Sequence, residues 1–175
     1  FKEDGTLIWS KSITTATSAI LTDMEINSRG RIILYGTYTT SSANPNVNFG
    51  SSRLSSGRAV FIAFMTPNGN FTAARDLATA STFIGALDFK IGPNDELFAY
   101  IYLNGFSAGG YTINSTVSPV TGTGFINVFC KFDSTGRRLE WHQGYDLSDH
   151  IETGTMAVEP NGNLLYSFRA GTQPS

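Results

Sequence analysis

The chain has 175 residues, of which 41% are apolar and 13% aromatic, and its formal net charge at pH 7 is −2. That apolar content is enough for a packed core and excludes an intrinsically disordered chain. The basic residues are spread rather than clustered, which argues against binding to nucleic acid or an anionic membrane. No apolar run is long enough to cross a bilayer, so we expect no membrane insertion.

In chain order, the first predicted element is a hairpin over residues 1–13, FKEDGTLIWSKSI, whose turn glycine is Gly5. The first complete unit follows over residues 19–79. Its four predicted strands are 20–26, 31–39, 58–66 and 70–77. Between the second and third strands lies a long polar loop, residues 40–57, with one short extended piece near 47–49.

The second complete unit, residues 82–147, repeats this order: a hairpin, a long loop over 104–124 and a second hairpin. That second hairpin, residues 124–146, is an apolar run rich in β-branched and aromatic residues, an Asp-Ser-Thr-Gly turn and another strand. The last segment, residues 150–172, contains only the first hairpin of a third unit. No segment combines a helical period with capping residues, so we expect almost no helix.

Two turn signatures recur along the chain with one period. The second hairpins have their turn glycines at Gly5, Gly69 and Gly136, and the first hairpins have the equivalent turn residues at Gly30, Asp95 and Gly162. Since each period of about 65 residues holds two hairpins, the sequence predicts four strands per repeat. Tandem four-stranded antiparallel units that pack on their neighbours are typical of β-propeller blades, so the predicted fold is an all-β propeller.

The segments VFCKFDSTGRRLEWHQGYD, FIAFMTPNGNFTAARDL and FKEDGTLIWSKSI resemble the SBBP (beta-propeller) repeat of secreted bacterial proteins, whose core reads F-V-A-K-F-D-x-x-G-x-x-x-W-x-K. The second family segment, A-x-D-x-x-G-N-x-Y-x-x-G, is matched by ILTDMEINSRGRIILYGTY, LDFKIGPNDELFAYIYLNG and TMAVEPNGNLLYSFRAG. The middle copy departs from the motif, with Ala73 or Ala74 in place of Trp and Phe64 where Lys is common. The resemblance covers nearly the whole chain. It implies a propeller fold and an extracellular or cell-surface location, and it is silent on activity because the motif residues are structural.

The partial blades over 1–13 and 150–172 are complementary halves of one repeat. We expect the single repeat region 1–175 to be a fragment of a longer propeller. The alternative is that the ends pair across a ring closure. Three blades fall below the usual four to eight, so that closure would require a second chain and a homo-oligomer.

The two long loops are the candidate binding surface, since loops on a rigid scaffold often carry function. They offer Phe49, Arg53, Phe106 and Tyr111 as ligand-binding residues for a glycan or a peptide. The alternative is that the loops are polar spacers with an aromatic side chain buried beneath them.

Residues 105–109, GFSAG, match the G-x-S-x-G pattern that surrounds a catalytic serine, with Asp149 and His150 following in the required chain order. That mechanism needs a sharp strand-to-helix turn that exposes Ser107. The sequence after the motif, GYTINSTVSP, is not helical. We therefore expect a loop here, and no catalytic residue.

Asp23 and Asp88 occupy the same position in successive units, which favours structural hydrogen bonds because catalytic residues are usually unique. His142 and His150 have no third ligand at a suitable spacing, so we expect no metal site and no cofactor. The single cysteine, Cys130, lies mid-strand, as a small buried hydrophobic residue would.

The predicted function is a non-catalytic structural or protein-interaction module of a secreted, cell-surface or virion protein, either a scaffold or an adhesin. The second hypothesis is a carbohydrate- or peptide-binding propeller that uses loops 40–57 and 104–124, and the third is a hydrolase. Expected partners are protein or glycan surfaces, further blades of the same chain, or another copy of the chain.

Overall fold

The computed structural model describes residues 3–15, 17–104, 110–113, 120–122, 125–146 and 151–170. This part of the chain contains β-strands and no helix, so the all-β prediction is confirmed. The strands, in chain order, are β1 Thr14–Thr15, β2 Ser18–Ile26, β3 Ile32–Thr39, β4 Val47–Phe49, β5 Ser52–Leu54, β6 Arg58–Met65, β7 Phe71–Ala80, β8 Phe83–Ile91, β9 Leu97–Asn104, β10 Tyr111–Ile113, β11 Val120–Gly122, β12 Phe125–Phe132, β13 Leu139–Asp146, β14 Ile151–Val158 and β15 Leu164–Ala170.

Each complete unit forms a four-stranded antiparallel meander, as its spacing predicts. The first sheet contains β2, β3, β6 and β7 in that spatial order, and the second contains β8, β9, β12 and β13. The third sheet is the β14–β15 hairpin, and β1, β4 and β5 form a fourth, three-stranded sheet. In the first two sheets the first strand of the unit is an edge and the second strand is interior.

Both long loops contain short strands. In loop 40–57, β4 matches the predicted extended piece, whereas β5 was not predicted. In loop 104–124, β10 and β11 form a hairpin that extends the first sheet by pairing with β7. Three-residue strands are too short to show a period of two, so their pairing could not be deduced from the sequence.

The predicted hairpin over residues 1–13 is wrong for the part that the structure describes. Its turn is present, since Gly5 has a φ of 82° and the Asp4 Oδ1 accepts a hydrogen bond from Thr6 N at 2.9 Å. Residues 3–13 nevertheless belong to no strand, and pairing begins only with β1, which lies against β4. The turn forms from local contacts, whereas a strand also needs a neighbouring strand to pair with. β7 pairs with β6, but no described strand pairs with residues 6–13.

The second sheet lies between the first and the third and is covered on both faces. Its core with the first sheet includes Ile33, Tyr35, Ile62 and Phe64 on one side and Phe89, Ala99, Ile101 and Cys130 on the other. Its core with the third sheet comprises Phe98, Tyr100, Phe129 and Met156. Tyr35 stacks on Phe89 with ring centroids 5.0 Å apart. Cys130 is fully buried as predicted, and that burial raises the pKa of its thiol.

Two strand glycines provide a matched test of this packing. A Cβ on Gly36 in β3 would overlap the backbone carbonyl of Ile20 in β2, whereas a Cβ on Gly85 in β8 would meet its nearest atom, the Tyr102 Cβ, at 3.6 Å. We expect Gly36→Ala to lower the free energy of unfolding by about 1–3 kcal/mol, since the strands must separate locally. Gly85→Ala should leave stability unchanged or raise it by up to about 1 kcal/mol. Urea unfolding of the two variants measures both values, and equal effects would contradict the close approach of β2 and β3.

Candidate functional site

Four charged side chains lie close together where β2 and β8 meet. Lys90 Nζ in β8 is 3.2 Å from Asp23 Oδ2 and 3.3 Å from Glu25 Oε1, both in β2. It is also 3.2 Å from Asp88 Oδ1 on its own strand. Its side chain is 31% exposed, so one cation faces three carboxylates at a partly covered boundary between two sheets. We call these four residues the Lys90 cluster.

The ionisation of the Lys90 cluster favours a structural role. Burial by itself lowers the pKa of Lys90, but the carboxylates of Asp88 and Asp23 more than compensate, and the net pKa is above its ordinary value. Burial raises the pKa of Asp88, but hydrogen bonds from Met156 N, Thr155, Lys90 and Phe89 N outweigh it and the net pKa is lowered. A general acid or base works best with a pKa near the ambient pH, whereas these shifts lead away from neutrality. Asp88 and Lys90 therefore carry fixed charges.

Asp23 and Asp88 make the structural hydrogen bonds that their periodic placement predicts. Each follows a register shift in its strand, and each Oδ1 accepts from the next backbone N–H, at 2.7 Å from Met24 and 2.8 Å from Phe89. Asp88 Oδ2 also accepts from Met156 N at 2.6 Å and from the Thr155 hydroxyl at 2.9 Å. The repeated aspartate thus fixes its own strand and, at Asp88, the first strand of the next sheet.

A second set of contacts joins the turns of neighbouring sheets. Asp95, with a φ of 64°, stands where the other units have glycine, and its carboxylate accepts from Ser28 N and the Ser28 hydroxyl, each at 2.9 Å. Nearby, the Tyr35 hydroxyl donates to Tyr100 O at 2.8 Å. These partners are 65 to 68 residues apart, as are the partners of Asp88 and Asp23 across the strands. The period of the repeat was the sequence signal from which contacts between equivalent positions could have been predicted. No single motif indicated that Ser28 or Lys90 would take part in them.

Two outer segments, residues 6–15 and β7, contact the outer turn of the next sheet in a comparable way. The Trp9 indole Nε1 donates to Pro67 O at 2.9 Å, and its ring covers Gly69 in the β6–β7 turn. One unit later, Arg75 Nε in β7 donates to Thr135 O in the β12–β13 turn at 2.7 Å. Residues 6–15 therefore stand relative to the first sheet as β7 stands relative to the second.

The predicted ligand-binding residues do not come together on one exposed face. Phe49 is fully buried, with its ring centroid 4.8 Å from that of Phe61, and Tyr111 is only 9% exposed in a different core. Arg53 is exposed on β5, and Phe106 lies outside the described residues. Because β4 and β10 each turn an apolar side towards a core, Phe49 and Tyr111 match the alternative of aromatic residues buried beneath polar loops.

The serine motif is not described. Ser107, Asp149 and His150 lie outside the described residues, so the structure brings none of them together. His142 lies on β13 and is exposed. Within the described ranges, no group of three or more His, Cys, Asp or Glu side chains is placed to hold a metal ion.

Asp76 is the described carboxyl group whose pKa is raised. Burial raises that pKa, and hydrogen bonds from the Ser56 hydroxyl at 2.5 Å and the Tyr38 hydroxyl at 3.1 Å partly oppose the effect. Tyr38 also accepts from Ser56 N at 3.0 Å. Perturbed acids often mark functional sites, but here the three groups tie the end of loop 40–57 to β7.

Comparison of the chain with protein-family models, with curated proteins and with solved structures gives no match. In the described part of the chain, no helix is long and apolar enough to span a membrane.

Asp88 and Asp23 can be separated experimentally because they occupy equivalent positions but hold different neighbours. In Asp88→Asn one carboxylate oxygen becomes a donor and the remaining oxygen loses its negative charge, so the hydrogen bonds that hold β14 to the second sheet should weaken. We expect hydrogen exchange at Met156–Val158 to accelerate about tenfold or more, while the buried amides of β6 keep their protection.

Asp23→Asn is the matched control, since Asp23 contacts Lys90 and its own strand but not β14. It should leave exchange in β14 unchanged. Equal acceleration in both variants would contradict a specific role of Asp88 in holding the third sheet.

Acid should destabilise the fold through Glu96. Burial raises the pKa of Glu96, but hydrogen bonds from the backbone N and side chain of Asn94 and the ion pair with Lys131, at 3.1 Å, lower it from 4.5 to about 2. Since the folded pKa lies below the unfolded one, this stabilisation is complete above about pH 4.5 and is lost as the pH falls towards 2. Urea unfolding at steps from pH 7 to pH 2.5 should show the decline, with a shallower slope for Glu96→Gln.

A Glu96→Gln slope equal to that of the unsubstituted chain would show that other carboxyl groups dominate the acid response.

Proposed function

We propose that this chain is part of a β-propeller that acts as a non-catalytic structural or protein-interaction module of a secreted, cell-surface or virion protein. The observation that carries the proposal is that residues repeated along the sequence are used in contacts between sheets, at separations of one period. Asp88 with Met156, Tyr35 with Tyr100 and Ser28 with Asp95 are such pairs. A repeat whose shared residues join neighbours is suited to a rigid scaffold.

The arrangement of the sheets supports the propeller part of the proposal. Each complete sheet is an antiparallel meander, and the first strands β2, β8 and β14 are neighbours in space. Faces of successive sheets meet in continuous apolar cores. Stacked four-stranded sheets with their first strands together correspond to blades around an axis.

The resemblance to the SBBP repeat rests on the same residues. The turn glycine of the family segment corresponds to Asp95, which contacts the sheet before its own. Asp88 and Tyr100 lie in the same matched segment and also contact a neighbouring sheet. An extracellular or cell-surface location is proposed on this resemblance alone. A scaffold or adhesin role follows from it as the leading function.

The first test is chemical turnover. We expect the purified chain to hydrolyse no aryl ester, aryl glycoside or unstructured peptide above the buffer rate. Turnover that disappears in Ser107→Ala, or in Asp88→Asn while the chain stays folded, would overturn the non-catalytic assignment. A folded chain is verified in the same samples by near-ultraviolet circular dichroism.

The second test addresses the long loops. Arg53 on β5 and Arg58 at the start of β6 are both exposed and differ in that only Arg53 lies within loop 40–57. We expect any glycan or peptide that raises the melting temperature of the chain to do so equally in Arg53→Ala and Arg58→Ala. A shift lost only in Arg53→Ala would replace the scaffold by the loop-binding function.

A further inference from the structure

The β15 strand has an open edge that its equivalents in the other sheets do not have. β3 and β9 are interior strands, paired with β6 and β12 on the side away from the first strand. β15 pairs only with β14 among the described strands. β2 and β8 also have free edges, but these are the ordinary edges at which both complete sheets end.

The complete sheets specify what fits this edge. Tyr35 is opposite Ile62 in the first sheet, and Tyr100 is opposite Phe129 in the second. Near the turn, Ile32 is opposite Met65 and Leu97 is opposite Phe132 in the same way. A strand equivalent to β6 and β12 that paired with β15 would place its last apolar residue opposite Leu164 and its middle residue opposite Ser167.

A second observation concerns Trp141, on the outer strand of the second sheet. It lies on β13 at the position that Trp9 occupies in the N-terminal segment. The one additional residue of this unit lies in the turn, where Asp133 N donates to Arg138 O, five residues on, whereas Thr66 N donates to Asn70 O, four residues on. Trp9 donates to Pro67 O and covers Gly69, in the outer turn of the following sheet. Trp141 is 42% exposed, and the third sheet has no outer turn among the described residues.

From these two observations we infer that the edge of β15 is a docking site for a β-hairpin of the repeat's own outer type, a mainly apolar strand joined by a glycine-containing turn to a second strand. The inner strand of the hairpin adds to β15 by backbone hydrogen bonds, and its turn comes under Trp141. Strand addition of this kind draws affinity from the backbone and specificity from the alternating side chains. The inference rests on the proposed stacking of repeated sheets and names the partner that this stacking takes.

The complete sheets indicate that the occupant is a hairpin. β6 and β12, which fill the equivalent place, are each eight residues long and each pairs with the strand that follows it, β7 or β13. The position beside β15 therefore takes two strands joined by a turn.

The test uses the whole chain and a synthetic peptide of residues 125–146, with Cys130→Ala to prevent disulfide formation. We expect saturable binding by fluorescence anisotropy of the labelled peptide, with at least tenfold slower hydrogen exchange at Leu164–Phe168. A peptide that also carries Val128→Pro should not bind, because proline removes a backbone donor and disrupts the strand. Binding without new protection in β15, or equal binding of the proline peptide, would overturn the inference.

A pair of chain variants tests the turn contact. Trp141→Phe removes the indole donor and should weaken binding of the peptide about tenfold. Trp9→Phe, made at the equivalent position on the opposite end of the chain, should leave the affinity unchanged. Equal weakening in both variants would contradict the placement of the turn under Trp141.

Self-association is measured in the same samples by light scattering. We expect a monomer in the absence of peptide. A dimer whose β15 amides are already protected would identify a second copy as the occupant and overturn the hairpin. Failure of peptide binding would leave the turnover and loop tests of the proposed function unaffected, so the two proposals can fail separately.

Discussion

The structure depends on sheets that have apolar side chains on both faces along their inner strands. In β6 every residue from Ala59 to Met65 is buried, so both faces of the first sheet are apolar along this strand. β12 repeats the pattern with Val128, Phe129 and Cys130 buried in sequence. Such a sheet cannot be stable alone, because each face would expose a continuous apolar surface. Stacking of successive sheets is therefore a condition of folding, and the recurring contacts at one-period spacing follow from it.

Polar groups at the boundary select how the sheets stack rather than supply most of the stability. Asp95 has a positive φ that costs free energy for a residue with a Cβ, and glycine is found at Gly30 and Gly162 instead. Its carboxylate offsets that cost by accepting from Ser28 and Asn27 of the previous sheet. One residue thus makes a turn and also fixes the position of its neighbour. Apolar faces alone would allow the sheets to slide.

The sequence was sufficient for the repeat, the four strands per unit and the structural role of Asp88, because each depends on a local pattern that recurs. It was insufficient where the outcome depends on a distant partner. The turn at Gly5 formed as predicted, but residues 6–13 found no strand to pair with. Phe49 was predicted as a loop ligand and is buried, since β4 docks beside β1 and against Phe61. Composition shows that a loop is polar, but it does not show which of the few apolar residues in the loop are buried.

The same position can have different chemistry in successive units without changing the stacking. Asp23, Asp88 and Thr155 occupy the same position in the three units, and the residue two places later is Glu25, Lys90 and Ala157 in turn. Where Lys90 is present, the boundary is an ion cluster joining β2 and β8. Where Ala157 replaces it, Asp88 instead accepts from Met156 N and the Thr155 hydroxyl. Both arrangements give the aspartate a partner one period away, so the constraint on this position is that its carboxylate accept a hydrogen bond or an ion pair from the next sheet.

The two boundaries of the second sheet therefore differ in their sensitivity to salt, because a charged contact is screened by salt and a short backbone contact much less so. This difference separates two interfaces that the apolar pattern alone would make equivalent.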